Sequence, residues 1–405
     1  MSGISALVDH LFRHEAGKMV ATLVRILGLR HVDLAEDVVQ DALLRALEIW
    51  KYRGVPENPS AWLFQAARNR AVDVLRRGKL HEQAARKLSR ELSSPVDEDG
   101  SRDDVLRLMA SCAHAGLPSD GQVAVLLKFL CGFSVPEIAQ AFLTSEDAIE
   151  KRLSRAKGVL KRGPGPAVLD RERLASIHQA LYLLFSEGYH GSHPERSVRE
   201  ELCAEALRLG VLLTEHPSTA TPATFALLGL MCLHAARLPA RMDDAGSLIL
   251  LEAQDRSRWS RPLMDQGFAF LNHSAAGGEL TAFHLEAGIA ALHAGARSFA
   301  ETDWPGILKL YTLLYELRPT PIVALNRAIA LGRVEGPEPA LRELETIRGG
   351  GRLQRYPFLE AAAGDLHERA GKPAEARTHF RRALSLTRNE SERRVFQDRL
   401  AALDR

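Results

Sequence analysis

Two stretches of the chain carry the side chains of a phosphate-binding surface. Arg68, Arg70, Arg76, Arg77, Lys79, Arg86, Lys87 and Arg90 fall in one run, opposed only by Asp73 and Glu82. Lys151, Arg152, Arg155, Lys157, Lys161 and Arg162 form a second. Clustered guanidinium and ammonium groups neutralise phosphates. With a net charge of only +2 over 405 residues, that contact has to come from local patches rather than from the whole molecule. Between the runs, Asp97, Glu98, Asp99, Asp103 and Asp104 reverse the sign. Other chemistries find little support. Cys112, Cys131, Cys203 and Cys232 are far apart with no CxxC pair and read as reduced, buried thiols. Glu187, His190 and His193 have metal-site spacing, but Gly188 and Gly191 break any helix, and a polar turn explains them better. Neither a metal nor a cofactor is expected.

Helices have to hold these side chains. From Leu117 to Arg162 the chain first reads as a helix with Val123, Leu126, Leu127 and Leu130 on one apolar face, ended by Gly132. Ser134 is placed to cap a short helix, Val135 to Phe142, and Glu137 completes a capping box. The turn Leu143-Thr144-Ser145 leads to a longer helix. Ala148, Ile149, Leu153 and Ala156 point inward; Glu146, Glu150, Lys151, Arg152, Arg155 and Lys157 point outward. This is the pattern of a helix-turn-helix entering a major groove, though a helical hairpin with a solvated charged face shares the spacing. Upstream, residues 4–27 predict an amphipathic helix. A second helix starts near Asp33, burying Val38, Ala42, Leu43 and Leu47 and leaving Glu36, Asp37, Gln40, Asp41 and Arg45 outside. Gly54, Pro56 and Pro59 enforce a loop. Ser60 then caps a long helix with Trp62, Leu63, Ala66, Val72 and Leu75 inward and Arg68, Asn69, Arg76 and Arg77 on the other side. The fold class is all-α.

The run AEDVVQDALLRALEIW followed by NPSAWLFQAARNRAVDVLRR resembles domain 2 of extracytoplasmic-function (ECF) sigma factors of the sigma-70 family, and FSVPEIAQAFLTSEDAIEKRLSRAK resembles their domain 4. The resemblance covers about the first 160 residues. It implies a domain 2 over 1–90, a flexible acidic linker over 91–115 and a domain 4 with its helix-turn-helix over 116–163. It also implies roles. Asp37, Gln40, Asp41, Leu44 and Arg45 would meet the clamp helices of the RNA polymerase largest subunit, an acidic face on a basic coiled coil. The loop Val55 to Ser60, Asn58 included, would hold a base flipped out of the minus-ten element. Arg68, Arg76 and Arg77 would hold phosphates, Asn69 would read a base edge, and Asp73 would orient a neighbouring arginine. Trp62 serves either the core or the unstacked base. Ser145, Glu146, Asp147, Glu150 and Lys151 would face the minus-thirty-five base edges, with Arg152, Arg155, Lys157 and Lys161 on phosphates.

An ordinary ECF sigma factor ends near Gly163; here GPGPAV follows, and more than half the chain remains. YLLFSEGY, LMCLHAAR and LLEAQDRSRW resemble the extension of an ECF group with a C-terminal tetratricopeptide-like (TPR-like) domain. Ser186 stands where that group usually shows asparagine, and the linker is shorter. A helical extension domain is expected over 170–275 and TPR-like repeats over 279–405. Ile307, Tyr311 and Leu314 recur as Ala340, Leu344 and Ile347, then as Ala376, Phe380 and Ala383, at offsets of 33 and 36 residues. Arg393 to Leu403 would cap the array, and Asn326 and Arg327 would line its concave face.

The sequence therefore predicts a sigma factor rather than an enzyme, with core RNA polymerase and promoter DNA as partners. A protein or small-molecule signal would act at the TPR-like domain. With no leader and no apolar run of membrane length, the expected location is cytoplasmic, without a membrane partner. The alternative is a TPR-like adaptor whose DNA-binding modules are degenerate. An enzyme built on Glu187, His190, Asp255 and Arg256 lacks a nucleotide loop, a metal signature and a nucleophile–base pair.

Overall fold

Helical periodicity runs through the chain, and the described residues of the computed structural model fold as eighteen α-helices without a strand. Residues 2–77, 98–142, 144–162, 171–191, 198–243, 246–387 and 389–404 are described, with side chains from residue 14 onward apart from Arg77 and residues 98–101. Lys79, Arg86, Lys87, Arg90, Asp97, the GPGPAV segment and His193 lie outside them. The chain divides into two compact units, one of residues 1–187 and 201–219, the other of residues 188–200 and 220–405.

In the first unit, α1 (Ser2–Leu27), α2 (Val32–Arg53) and α3 (Pro59–Arg77) pack through Met19, Leu23, Val38, Ala42, Leu63 and Leu75, all nearly inaccessible to solvent. Next comes α4 (Glu98–Cys112), where the acidic composition predicts a solvated linker. Val105, Leu108, Met109 and Cys112 recur at helical spacing and are buried, and Asp104 is fixed by Arg25 at 2.9 Å. Apolar burial outweighs the charge run here, so the helix starts well inside the expected linker.

The helix-turn-helix follows as α5 (Ser119–Phe129), α6 (Val135–Ala141) and α7 (Glu146–Leu160). Helix α5 is buried on more than the one face its periodicity predicts: Ala124 and Val125 are as inaccessible as Leu126 and Leu127. Gly17 on α1 explains how neighbours come so close, since a Cβ there would strike the Leu130 carbonyl oxygen, backbone that cannot yield. Helix α8 (Arg171–Tyr189) as far as Glu187 and helix α9 (Glu200–Thr214) from Glu201 complete the unit. The domain boundary expected at residue 170 therefore falls inside a compact body.

The second unit contains α10 (Pro222–Ala235), α11 (Arg261–Ser274), α12 (Ala282–Gly295), α13 (Trp304–Leu317), α14 (Pro321–Val334), α15 (Pro337–Gly349), α16 (Pro357–Arg369), α17 (Pro373–Leu386) and α18 (Glu390–Leu403). Against the expectation that no apolar run reaches membrane length, the stretch Pro222–Ala240 is long and apolar enough to cross a membrane, and 72% of it is buried within the protein. From α13 to α17, every helix carries proline in its first turn, where the missing N–H costs no hydrogen bond. Of the recurring triplets, Ile307, Leu314, Ala340, Leu344, Ala376, Phe380 and Ala383 are all buried. Gly364 lets α16 lie against the Phe380 ring, which a Cβ would meet at 2.9 Å. Asn389 caps α18 by accepting from the Ser391 and Glu392 amides, and Phe396 buries its inner face.

Candidate polymerase and nucleic-acid interfaces

Helix α2 turns Val39, Ala42, Ala46 and Trp50 into the core, and that line leaves Leu47 off it. Leu47, expected to be buried, is 48% exposed beside Leu44 at 60%. Asp37, Gln40 and Arg45 are exposed on the same helix. Leu44 and Leu47 are one turn apart on this face, among charged side chains. The Asp37 carboxyl is held above the usual range, first by partial burial and then by Glu36, Asp33 and Asp41 around it. Asp41 accepts from Arg70 Nε at 2.6 Å, tying this face to α3.

On α3 the expected DNA-facing residues have unequal freedom. Asn58 Oδ1 accepts from the Ala61 amide at 2.9 Å, so Asn58 rather than Ser60 caps the helix. Pro59 occupies the first helical position and has no N–H, so a side-chain acceptor before it serves the next turn. Trp62 is half-buried, its ring edge-to-face with Trp50 at 5.4 Å, which gives it a packing role. Gln65 bridges Arg68 and Asn69, accepting from the guanidinium at 3.5 Å and donating to the amide oxygen at 3.1 Å. Asp73 and Arg76 are exposed. The side chain of Arg77 is outside the described residues.

The capping box at the start of α6 forms as its sequence predicts: the Ser134 amide donates to Glu137 at 2.8 Å and the Glu137 amide to Ser134 Oγ at 3.4 Å. Ser145 Oγ caps α7 by accepting from Ala148 N at 3.3 Å, and Glu146 and Asp147 sit in the first turn, where the helix dipole favours carboxylates. Glu150, Lys151 and Arg155 are exposed; neither Lys151 nor Arg155 has an ion pair among the described residues. Arg152 is half-buried, 3.3 Å from Asp120 and over the Phe142 ring at 4.9 Å.

The basic end of α7 is already occupied. Lys157 Nζ lies 2.9 Å from Asp33 and 3.1 Å from Glu36, and Lys161 lies 2.5 Å from Asp33. Lys128, on α5, reaches Glu36 at 2.9 Å. Burial pushes Asp33 up, but the bonds from Lys161 and Lys157 outweigh it and hold the carboxyl below its ordinary value. Burial pushes Lys157 down, and Asp33 and Glu36 together hold it above. Glu36 was expected on the outer face, Asp33 only at the start of the helix, and Lys128 had no expected role. A signal was present, since Glu36 shares the buried line of Val32, Ala35 and Val39, and a carboxylate there demands a cation. The two modules, expected as separate bodies, thus share an ionic seam within one unit.

Helices α8 and α9 join the same unit through polar contacts on both modules. His14 on α1 lies 3.0 Å from Glu205, which Arg208 also holds at 2.6 Å. Ser119 at the start of α5 lies 3.3 Å from Ser176, and Arg102 lies 3.6 Å from Glu215. In the other unit, Asp255 caps its own short turn through Ser257, and Arg256 donates to the Ala296 carbonyl at 2.8 Å. Both have structural duties. Glu187 and His190 fall in different units.

Comparison with known proteins matches three segments of the chain. Residues 11–80 match the family Sigma-70 region 2, residues 107–160 match Sigma-70 region 4, and residues 173–275 match a family of unknown function (DUF6596). The probable RNA polymerase sigma factor RfaY of Xanthomonas campestris pv. campestris is 27% identical over 176 residues, 39% of this chain and 44% of that protein. No solved structure matches the chain significantly. The chain is a sigma-70 factor of the ECF-like type with a helical C-terminal extension. It belongs to the same family as the uncharacterized protein R00370 of Rhizobium meliloti (strain 1021), with 40% identity over 390 residues, 92% of this chain and 91% of that protein.

Proposed function

We propose that the protein brings core RNA polymerase to two-part promoters in the cytoplasm, opens the minus-ten element without catalysing a reaction, and is regulated by its C-terminal helical, TPR-like extension. The observation that carries restraint of the free protein is the seam between Lys157, Lys161 and Asp33, Glu36, and the extension enters through α8 and α9, which contact both modules. Cations suited to minus-thirty-five phosphates are spent on the helix that bears the polymerase-facing surface. In this reading the free protein is closed, and polymerase binding at Asp37, Gln40, Asp41, Leu44 and Arg45 competes with closure from the same helix. Helices α8 and α9 brace both modules, so a signal reaching the extension biases the spacing between them.

Arg76 and the pair Lys151, Arg155 are the exposed groups we assign to the minus-ten strand and the minus-thirty-five duplex. Permanganate footprinting on a promoter found by binding-site sequencing tests the opening step. Core polymerase with the wild-type chain should make minus-ten thymines reactive, and Arg76→Ala should reduce that signal about tenfold, the scale of one charge-assisted contact. Unreactive thymines with wild-type protein would refute promoter opening.

A further inference from the structure

The three extension stretches singled out in the sequence converge in the C-terminal unit. YLLFSEGY supplies Tyr189, LMCLHAAR supplies Arg237, and LLEAQDRSRW supplies Gln254 and Trp259. The Arg237 guanidinium lies over Tyr189 at 5.9 Å and Trp259 at 5.6 Å, with its Nε donating to Gln254 at 3.2 Å. Arg241 stacks on Tyr189 at 3.9 Å. Beside them opens a cavity of about 510 Å³, lined by Arg237, Arg241 and His190 from the first part of the unit and by Phe358, Phe380 and Phe396 from its last three helices. That volume is in the range of small-molecule sites.

The charges in this cavity do not balance. Arg399 also lines it but is satisfied by Glu368 at 2.6 Å and Asp365 at 3.1 Å. Glu392 is engaged by Thr387, which donates to it, and by His190 at 3.5 Å. Arg241 is only 8% exposed; it has no carboxylate partner, and its buried Nε has no hydrogen-bond acceptor among the described residues. Burial, followed by the nearby arginines, pushes His190 down to about 4 and His234 to about 3, so both imidazoles are neutral near pH 7 and the local field remains positive. A buried guanidinium without a counter-charge is costly, and its fork geometry matches a planar anion.

We infer that this cavity is a binding site for a small organic monoanion, a carboxylate on an aromatic or aliphatic body, with Arg241 and Arg237 taking the carboxylate and Phe358, Phe380 and Phe396 taking the apolar part. One negative charge suits the site better than two, because Glu392 already contributes carboxylate character. The inference rests on the reading that the extension receives a signal, and it gives that signal a chemical class.

The test is thermal unfolding of the full chain with 3-phenylpropanoate, with octanoate and with the neutral 3-phenylpropanol. Both acids should raise the midpoint, and the alcohol should leave it unchanged. Arg241→Met should weaken acid binding about tenfold or more, and Arg241→Lys less, because charge without the fork retains part of the contact. Should Arg241→Met fail to fold, the side-chain Nε–Hε resonance of Arg241 in wild-type protein should shift on adding either acid and not on adding the alcohol. No response to either acid, an equal response to the alcohol, or an undiminished response in a folded Arg241→Met chain overturns the assignment. Polymerase takes no part in these measurements, so their failure leaves promoter recognition standing, and failed transcription would not alter them.

Discussion

Asp33→Asn together with Glu36→Gln should make the free protein bind duplex DNA about tenfold more tightly than wild type, with a steeper dependence on salt. Both effects follow from the seam. In the wild-type chain Lys157 and Lys161 spend their charge on Asp33 and Glu36. Releasing them adds up to two phosphate contacts, and each neutralised phosphate steepens the salt slope by about 0.9. The pairs hold across the neutral range. The depressed Asp33 contribution is present above the ordinary carboxylate value and is lost only as pH falls through the lowered one; that of Lys157, which is raised, is lost only as pH rises through its own. Salt rather than pH is therefore the lever that opens the wild-type seam. Glu36 also pairs with half-buried Lys128, so its loss carries a folding cost, and Asp33→Asn alone is the gentler variant. Fluorescence anisotropy with a labelled promoter duplex over a salt series checks both effects. Unchanged affinity and slope in both variants would show that the seam does not restrain DNA binding.

Truncation should give the second large effect. A chain ending at residue 169 loses α8 and α9, whereas one ending at residue 219 keeps them. Ile177, Leu181, Leu184, Leu202, Leu209 and Leu213 are fully buried in those helices. At roughly 1.5–3 kcal/mol for each large side chain removed from water, the surfaces they cover represent on the order of 10 kcal/mol, comparable to the whole stability of a domain. The shorter chain should aggregate or melt without cooperativity, and the longer one should unfold in a single cooperative step. Circular dichroism melts decide this, and equal stability of the two chains would show α8 and α9 to be dispensable. For the same reason, removing the extension at residue 170 would confuse loss of regulation with loss of the fold, while removing residues 220–405 would not.

Much of this was legible in the chain. Ser134 and Glu137 announced the capping box because it depends on two residue types three positions apart, and local chemistry is what sequence records best. The apolar triplets around Ile307, Ala340 and Ala376 announced packed hairpins for the same reason. Proline spaced 16 residues apart at positions 305, 321 and 337 was an equally local signal that went unread. The misses have separate physical causes. The Lys157–Asp33 seam joins side chains far apart in sequence: the buried line of Glu36 calls for a cation, but nothing near it says which one. Helix α4 was hidden because aspartates dominated a window in which Val105, Leu108, Met109 and Cys112 still kept helical spacing. Leu47 was misplaced by a single step of about 100° around α2, enough to move a leucine from the core to an exposed partner face.

The defining act of a sigma factor is to start transcription at a chosen promoter. Run-off transcription with purified core polymerase, the full-length chain and a promoter found by binding-site sequencing tests it most directly. A single defined transcript that depends on the added chain, and that is lost when Arg76 and Arg155 are replaced by alanine, is the predicted result. Polymerase that starts nowhere in the presence of the folded chain, or that starts equally well with those arginines removed, would contradict it.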